Sequence, residues 1–374
     1  MSRLHSTMRA DVISKTPFHH AIRRVSKIQA TGLLLLLVCG TLEVGQLVAS
    51  EARSPALEPT LHARAMDRAA RLPRLRSLLI SMDGMLVEEQ YFQGARFSDW
   101  ANLKSASKSV LSVLVGIALD QGYLESLQNP IWGFFPQYRD AADAGKEKIT
   151  LEDLLTMRSG LETTSNLNYG RWVLSDNWVR HVLTRRMVGE PGGRMIYSTG
   201  SSHLLSAVLT QATGMSTLEF ARLHLGTPLG ISIPSWLRDP QGIYFGGNEM
   251  HMRPRAMLEI GELYLRGGRV KGRQVVSEAW IQASLKPRTQ SRWSGRQYGY
   301  GWWIRTMSGH QVYYAWGYGG QFIFVVPDLQ MVVVTTSSPL PGPGRRKHQR
   351  TIYDLMEHDL VPAADSRYNP RQMN

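Results

Sequence analysis

Residues 105–121 constrain the architecture more than any other stretch of the chain. Val110, Leu111, Val113, Leu114, Val115, Ile117, Ala118 and Leu119 make this segment apolar almost all the way round. A helix without a polar stripe has to be enclosed on every side, so the sequence predicts a central helix around which the rest folds. Strand-like runs lie at both ends of the chain. Residues 77–82 and 85–92 flank Asp83-Gly84, a hairpin signal. Residues 298–306, 312–316, 321–326 and 331–336 alternate as strands, with Pro327-Asp328 as the turn between the last two. Between them the reading is mainly helical, with helices expected at 201–212, 216–225 and 255–265. Another starts at Thr150, where Asp153 follows at capping-box spacing. A last helix is expected at 351–360. The expected fold is α/β (α+β): one antiparallel sheet assembled from both chain ends and flanked by helices, with a mainly helical lobe inserted at about 120–285.

The 374 residues suit one large domain or two closely joined lobes. Residues 1–50 read as an export signal or membrane anchor, 51–74 as a lead-in, and 75–374 as the folded domain. A basic stretch ending at Lys27 precedes the apolar run Gly32-Leu-Leu-Leu-Leu-Leu-Val-Cys-Gly40, and Val48-Ala49-Ser50 offers small residues for cleavage. An exported, periplasmic protein is expected, with inner-membrane attachment through residues 31–48 as the alternative and a lipid-modified Cys39 as a third. Met8 is a candidate second start. Cys39 is the only cysteine, so no intramolecular disulfide and no thiolate metal cluster can form. Of the net charge of +13, +4 lies in residues 1–50, and the rest is spread thinly apart from Arg345-Arg346-Lys347. Nucleic-acid proteins concentrate such charge on a stripe with interleaved aromatics, so no nucleic-acid partner is expected.

Ser105-Ala106-Ser107-Lys108 opens the buried helix. Residues i and i+3 share a helix face, which lets the Lys108 amine meet the Ser105 hydroxyl. An electropositive helix start and apolar surroundings disfavour the ammonium form, leaving a neutral amine as a base. A serine hydroxyl needs such a neighbour to act as a nucleophile. The bland alternative is a surface lysine on an ordinary helix. Tyr197-Ser198-Thr199 follows the loop Glu190-Pro-Gly-Gly-Arg194, and a tyrosine there can relay a proton if Lys108 depresses its pKa; simple packing is the alternative. In Trp316-Gly317-Tyr318-Gly319-Gly320-Gln321 the glycines bare a strand edge that can offer an N–H to an oxyanion, or they mark a bulge. His251 and His310 show no carboxylate spacing that suggests a triad or a metal site.

Together, in this order, these motifs resemble the serine β-lactamase and penicillin-binding superfamily, and within it the class C-type branch that includes esterases and 6-aminohexanoate-oligomer hydrolases. The resemblance covers roughly residues 75–360. Residues 149–161 look like the family's helix before the active-site rim, Glu190-Pro-Gly-Gly-Arg-Met-Ile-Tyr197 like its approach to the tyrosine motif, and Tyr318-Gly-Gly320 like its Lys/His-x-Gly strand. The resemblance implies Ser105 as acylated nucleophile and Lys108 as proton acceptor or as the partner that tunes Tyr197. It implies Tyr197 as proton shuttle and the backbone N–H groups of Ser105 and Gln321 as oxyanion hole. Tyr318, Gly319, Gly320, Thr199 and Trp316 would then bind substrate.

Two departures shape the expected activity. The family's Tyr-x-Asn is Tyr-Ser-Thr here, and Thr199 carries no amide. The Lys or His of the third motif is replaced by Tyr318, or by Trp316 if the alignment slips by two. Without that cation, hydrolysis of an ester or linear amide is favoured over β-lactam or D-alanyl peptide hydrolysis. A binding protein of the same fold for envelope ligands is the rival reading. No cofactor and no metal are expected. Tyr169, Trp172 and Trp178 are candidates to line an apolar pocket, with core packing as the alternative.

Overall fold

The computed structural model describes residues 57–141 and 145–365. The targeting segment expected over residues 1–50, with its apolar run at 31–48 and Cys39, lies outside the described residues. Eight strands form one antiparallel sheet: β1 Leu75–Met82, β2 Met85–Tyr91, β3 Thr289–Gln290, β4 Gln297–Tyr298, β5 Trp303–Met307, β6 His310–Gly317, β7 Gln321–Val326 and β8 Met331–Ser337. Their order is β2-β1-β8-β7-β6-β5-β4-β3, so the two ends of the chain meet at the β1–β8 pairing, where Leu78 faces Thr335 and Ile80 faces Val333. The expected strand at 298–306 is broken in two, because Gly301 adopts a positive φ of 78° between β4 and β5. β3 is a strand that the sequence reading did not anticipate.

The labelled helices are α1 Pro59–Ala70, α2 Ser107–Asp120, α3 Leu151–Leu155, α4 Thr199–Thr213, α5 Pro254–Leu265 and α6 Arg345–Leu355. Both faces of the central strands are covered, so β7 and β8 are buried at every position. Period-two alternation divides their side chains. Leu78, Ile80, Phe322, Phe324 and Val333 join a core with residues of α1 and α6, while Leu79, Ile323, Val332 and Val334 join one with α2 and α5. The expectation for residues 51–74 needs correcting. Residues 59–70 form α1 with Ala65 and Ala69 buried, and the guanidinium groups of Arg64 and Arg68 meet the buried Asp359 carboxylate. This segment seals one face of the sheet rather than leading into it.

Every residue of α2 from Ser107 to Ala118 is buried, as its all-round apolar sequence requires. The helical lobe packs α4 against α2 and α3. Thr150 caps α3 with the reciprocal Asp153 bonds that its spacing foretold. Among the described residues, no helix is long and apolar enough to cross a membrane.

Candidate active site

The turn that carries the candidate nucleophile Ser105 precedes α2. Ser105 lies half-buried in the short 3₁₀ turn Lys104–Ala106. Leu103 N–H donates to the Met250 carbonyl at 2.8 Å, and the Ser109 hydroxyl donates to the Gly301 carbonyl at 2.7 Å. These bonds tie the start of α2 to the lobe on one side and to the sheet on the other.

Lys108 is 4% exposed. Its Nζ reaches Gly247 O at 2.7 Å, Ser105 Oγ at 3.1 Å and Thr199 Oγ1 at 3.5 Å. No carboxylate among the described residues pairs with it. Burial therefore acts unopposed on the ammonium and brings the pKa down to about 7. The amine can be neutral at physiological pH and within reach of the serine proton. Gly247 makes the closest of these contacts possible. It adopts φ of +95°, and a Cβ there would sit 2.9 Å from Lys108 Cγ and 2.7 Å from Ser202 Cβ.

Tyr197 stands across from this pair, its ring centroid 5.2 Å from Lys108 Nζ. Burial pushes the phenol up to about 12, and a hydrogen bond with Ser105 offsets only part of that shift. The sequence-based expectation that Lys108 depresses the Tyr197 pKa is thus not met, because a largely neutral lysine supplies little field and the phenolate lacks solvent. The ring stacks on Trp303 at 5.9 Å. Its backbone is held from the adjacent loop: Thr163 Oγ1 donates to Tyr197 O at 2.7 Å, and Thr199 N–H donates to Ser165 Oγ at 2.9 Å. Thr199 opens α4 and exchanges a second 2.9 Å hydrogen bond with the Ser165 hydroxyl. The Thr163–Ser165 loop was not singled out from sequence, since three hydroxyl residues in a loop carry no spacing signal.

The glycine-rich motif forms the turn between β6 and β7. Gly317 packs against the nucleophile turn so closely that a Cβ would fall 2.0 Å from Leu103 O. Gly317 pairs with Gln321 across the hairpin. The Gln321 side chain is committed to β8, donating to Ser337 O at 2.7 Å and accepting from Ser337 N–H at 3.1 Å, so its side chain is not available to a ligand. Of the two candidates for the family's cation position, Trp316 joins the aromatic group beside Tyr197, with its ring 6.0 Å from Trp303. Tyr318 is 37% exposed and lies under the Arg345 guanidinium at 4.1 Å. Trp316, rather than Tyr318, shares the Trp303 ring as a neighbour with Tyr197.

One further strap went unseen in the sequence. Glu249 accepts from Lys104 Nζ at 2.7 Å and from Asn102 Nδ2 at 2.6 Å, while Lys104 N–H donates to Asn102 Oδ1 at 2.9 Å. Lys104 and Glu249 both hold positive φ, 49° and 59°. Next to Glu249, Asn248 donates to the Tyr169 hydroxyl at 2.8 Å. Residues 247–249 therefore hold Lys108, the Ser105 turn and Tyr169 from one segment.

Among the described residues, no histidine pairs with both a serine hydroxyl and a carboxylate: His348 Nε2 meets the Ser337 hydroxyl at 2.9 Å without an acid partner. His203 Nε2 pairs with Asp239 at 3.0 Å and its Nδ1 accepts from Gly246 N–H at 3.4 Å, so both ring nitrogens are engaged. His310 does lie near carboxylates, 3.6 Å from Asp328 and 3.4 Å from Asp365, which its sequence spacing had not suggested. Among the described residues, no cluster of three or more His, Cys, Asp or Glu could hold a metal ion. Trp172 and Trp178 pack in the core with Phe245 and His203 rather than lining a pocket.

Comparison with known proteins bears on the family and the fold. The sequence profile of the family described as Beta-lactamase matches residues 77–356. The 6-aminohexanoate-dimer hydrolase of Paenarthrobacter ureafaciens is 23% identical over 361 residues, covering 86% of this chain and 90% of that one. Among solved structures, EstCE1, described as a hydrolase with promiscuous acyltransferase activity, superposes with a TM-score of 0.64 at 17% identity, over 79% of this chain and 99% of its own. The octameric penicillin-binding protein homologue from Pyrococcus abyssi gives 0.61 at 19% identity, over 83% and 80%.

Proposed function

This chain belongs to the beta-lactamase family, and from that premise we propose that it is a serine hydrolase working through a Ser105 acyl-enzyme on esters or linear amides. The observation that carries the reading is the buried Lys108 amine, with a pKa brought down to about 7, 3.1 Å from Ser105 Oγ. Neutral Lys108 accepts the hydroxyl proton as Ser105 Oγ attacks the substrate carbonyl carbon. The oxyanion is assigned to the N–H groups of Ser105 and Gln321. Tyr197, neutral with its pKa up near 12, donates its proton to the departing oxygen or nitrogen and is reprotonated from the Lys108 ammonium. Water then enters, Lys108 takes its proton, and the same proton returns to Ser105 Oγ as the acid leaves.

Substrate preference follows from Trp316 and Thr199. An aromatic ring at the family's cation position gives a substrate carboxylate no partner, and Thr199 has no amide for an acylamino group. An ester or linear amide that needs no carboxylate anchor suits such a cleft. The relative named as a 6-aminohexanoate-dimer hydrolase supports the amide branch of this reading. Export accompanies the proposal on the strength of residues 1–50, and sequencing the mature amino terminus tests it.

A fluorophosphonate probe tests the nucleophile. Labelling is expected in the wild type and absent in Ser105→Ala; a label that survives the substitution removes Ser105 from the mechanism. Turnover of p-nitrophenyl esters of increasing chain length, compared with nitrocefin and the 6-aminohexanoate dimer, tests the substrate class. Strong nitrocefin turnover would contradict the argument from the missing cation.

A further inference from the structure

A cavity of about 720 Å³ opens along the sheet edge where β8 ends and β1 begins, and it touches the nucleophile turn only through Asn102. Its walls include Arg76, Tyr91, Arg96, Trp100, Ser338 and Leu340. The volume lies within the range of small-molecule sites. The wall is built rather than loose: Arg74 donates to the Ser338 and Leu340 carbonyls, and Ser338 N–H donates to Arg74 O at 2.8 Å.

Its charge is not balanced from within. Arg76 donates only to the neighbouring Leu75 carbonyl at 3.4 Å, and no carboxylate among the described residues pairs with the Arg76 or Arg96 guanidinium. Asp99, the acidic residue of the lining, accepts from the Arg96 backbone N–H at 2.9 Å. Arg253 adds a further cation, stacked on Trp100 at 4.8 Å. The mouth is apolar. Of the lining residues, Trp100 is 39% exposed and Leu340 67%, so two large hydrophobic side chains left in water border one opening.

The unpaired, half-buried Arg76 guanidinium, with exposed Arg96 nearby and apolar Trp100 and Leu340 at the mouth, matches a ligand with one carboxylate and an apolar body, the carboxylate bridging Arg76 and the Ser338 side of the wall. We propose that this cavity is a second binding site, distinct from the Ser105 cleft, for an amphiphilic monocarboxylic acid. The inference does not rest on the assignment of Ser105 as nucleophile.

Calorimetric titration of the full chain with sodium octanoate, beside n-octanol as the uncharged body of equal length, provides the test. Octanoate is expected to bind saturably at about millimolar concentration or tighter and at least tenfold more tightly than octanol. Arg76→Met is expected to abolish that difference with an unchanged melting temperature, and Arg76→Lys to restore part of it. Hydrolysis of p-nitrophenyl butyrate by Arg76→Met should stay within about twofold of wild type, since Arg76 touches none of the catalytic groups. Absence of saturable octanoate binding overturns the proposal. So does equal octanoate affinity in wild type and Arg76→Met, which would move the acid into the catalytic cleft.

Discussion

The two halves of the cleft are built to different standards. On the lobe side, Ser105, Lys108 and Tyr197 are each fixed by several bonds: Gly247 holds the amine, Asn102 and Glu249 hold the nucleophile turn, and Thr163 holds the tyrosine backbone. On the sheet side, the turn after β6 brings its backbone to the nucleophile through Gly317, but its side chains depart from the family pattern, with Trp316 in an aromatic group and Tyr318 open to solvent. Groups that move protons have one workable geometry, whereas groups that recognise substrate change with the substrate. Under the proposed mechanism, the contrast puts specificity in the β6–β7 hairpin and proton transfer at the start of α2 and the adjoining lobe.

The largest expected effect is at Lys108. Lys108→Met removes the base, and kcat/KM should fall by about 10⁴-fold. The same change should stabilise the fold. The lysine proton is held to 10.5 in the unfolded chain and to about 7 in the folded one, so the unfolded state binds more protons between those values. Wild-type stability therefore rises with pH across that window. Replacing the buried amine by an apolar chain of similar volume should add roughly 1–4 kcal/mol at pH 7 and flatten that rise. Denaturant titrations of both proteins at pH 6, 8 and 10 measure it. A destabilised Lys108→Met with a pH dependence like the wild type would mean that the amine is not buried as a neutral base.

The pH profile divides the labour between Lys108 and Tyr197. With the amine at about 7 and the phenol near 12, kcat/KM should climb through a single limb centred near 7 and show no descending limb up to pH 10. Tyr197→Phe should lower the plateau by about 10²- to 10³-fold without moving the limb. A limb that shifts or vanishes in Tyr197→Phe would make the tyrosine the primary base.

Much of the lobe half was legible because its signals are local. An all-round apolar helix, a Ser-x-x-Lys spacing and a capping box at Thr150 are each read within one turn of helix, and all three stand where they were expected. The sheet was legible as strands from both chain ends, since β7 and β8 are short apolar runs rich in β-branched and aromatic residues, bounded by turn residues. What escaped depends on contacts distant in sequence. The Asp359 carboxylate that meets Arg64 and Arg68 of α1 lies almost 300 residues away, so 59–70 read as a lead-in. The contact between the Trp316 and Trp303 rings spans two strands and carried no local signal. Glu249 had no signal at all, because its partners Asn102 and Lys104 are 147 and 145 residues away.

Glu249 carries the smallest expected effect and the sharpest distinction between support and chemistry. Its ion pair with Lys104 is partly exposed, at 22% and 25%, so its loss should cost less than about 1 kcal/mol of stability. Its kinetic effect should be larger, because Lys104 precedes the nucleophile and keeps a left-handed φ that the Asn102–Glu249–Lys104 ring enforces. Glu249→Ala should lower kcat by about tenfold with KM within twofold and little change in melting temperature. Glu249→Gln, which keeps an acceptor for Asn102, should recover part of the loss. Lys104→Met should cost about as much as Glu249→Ala, and the double variant no more than either alone, since both break one ring. Losses that multiply in the double variant, or a fall in kcat that tracks the melting temperature, would reduce Glu249 to a structural residue.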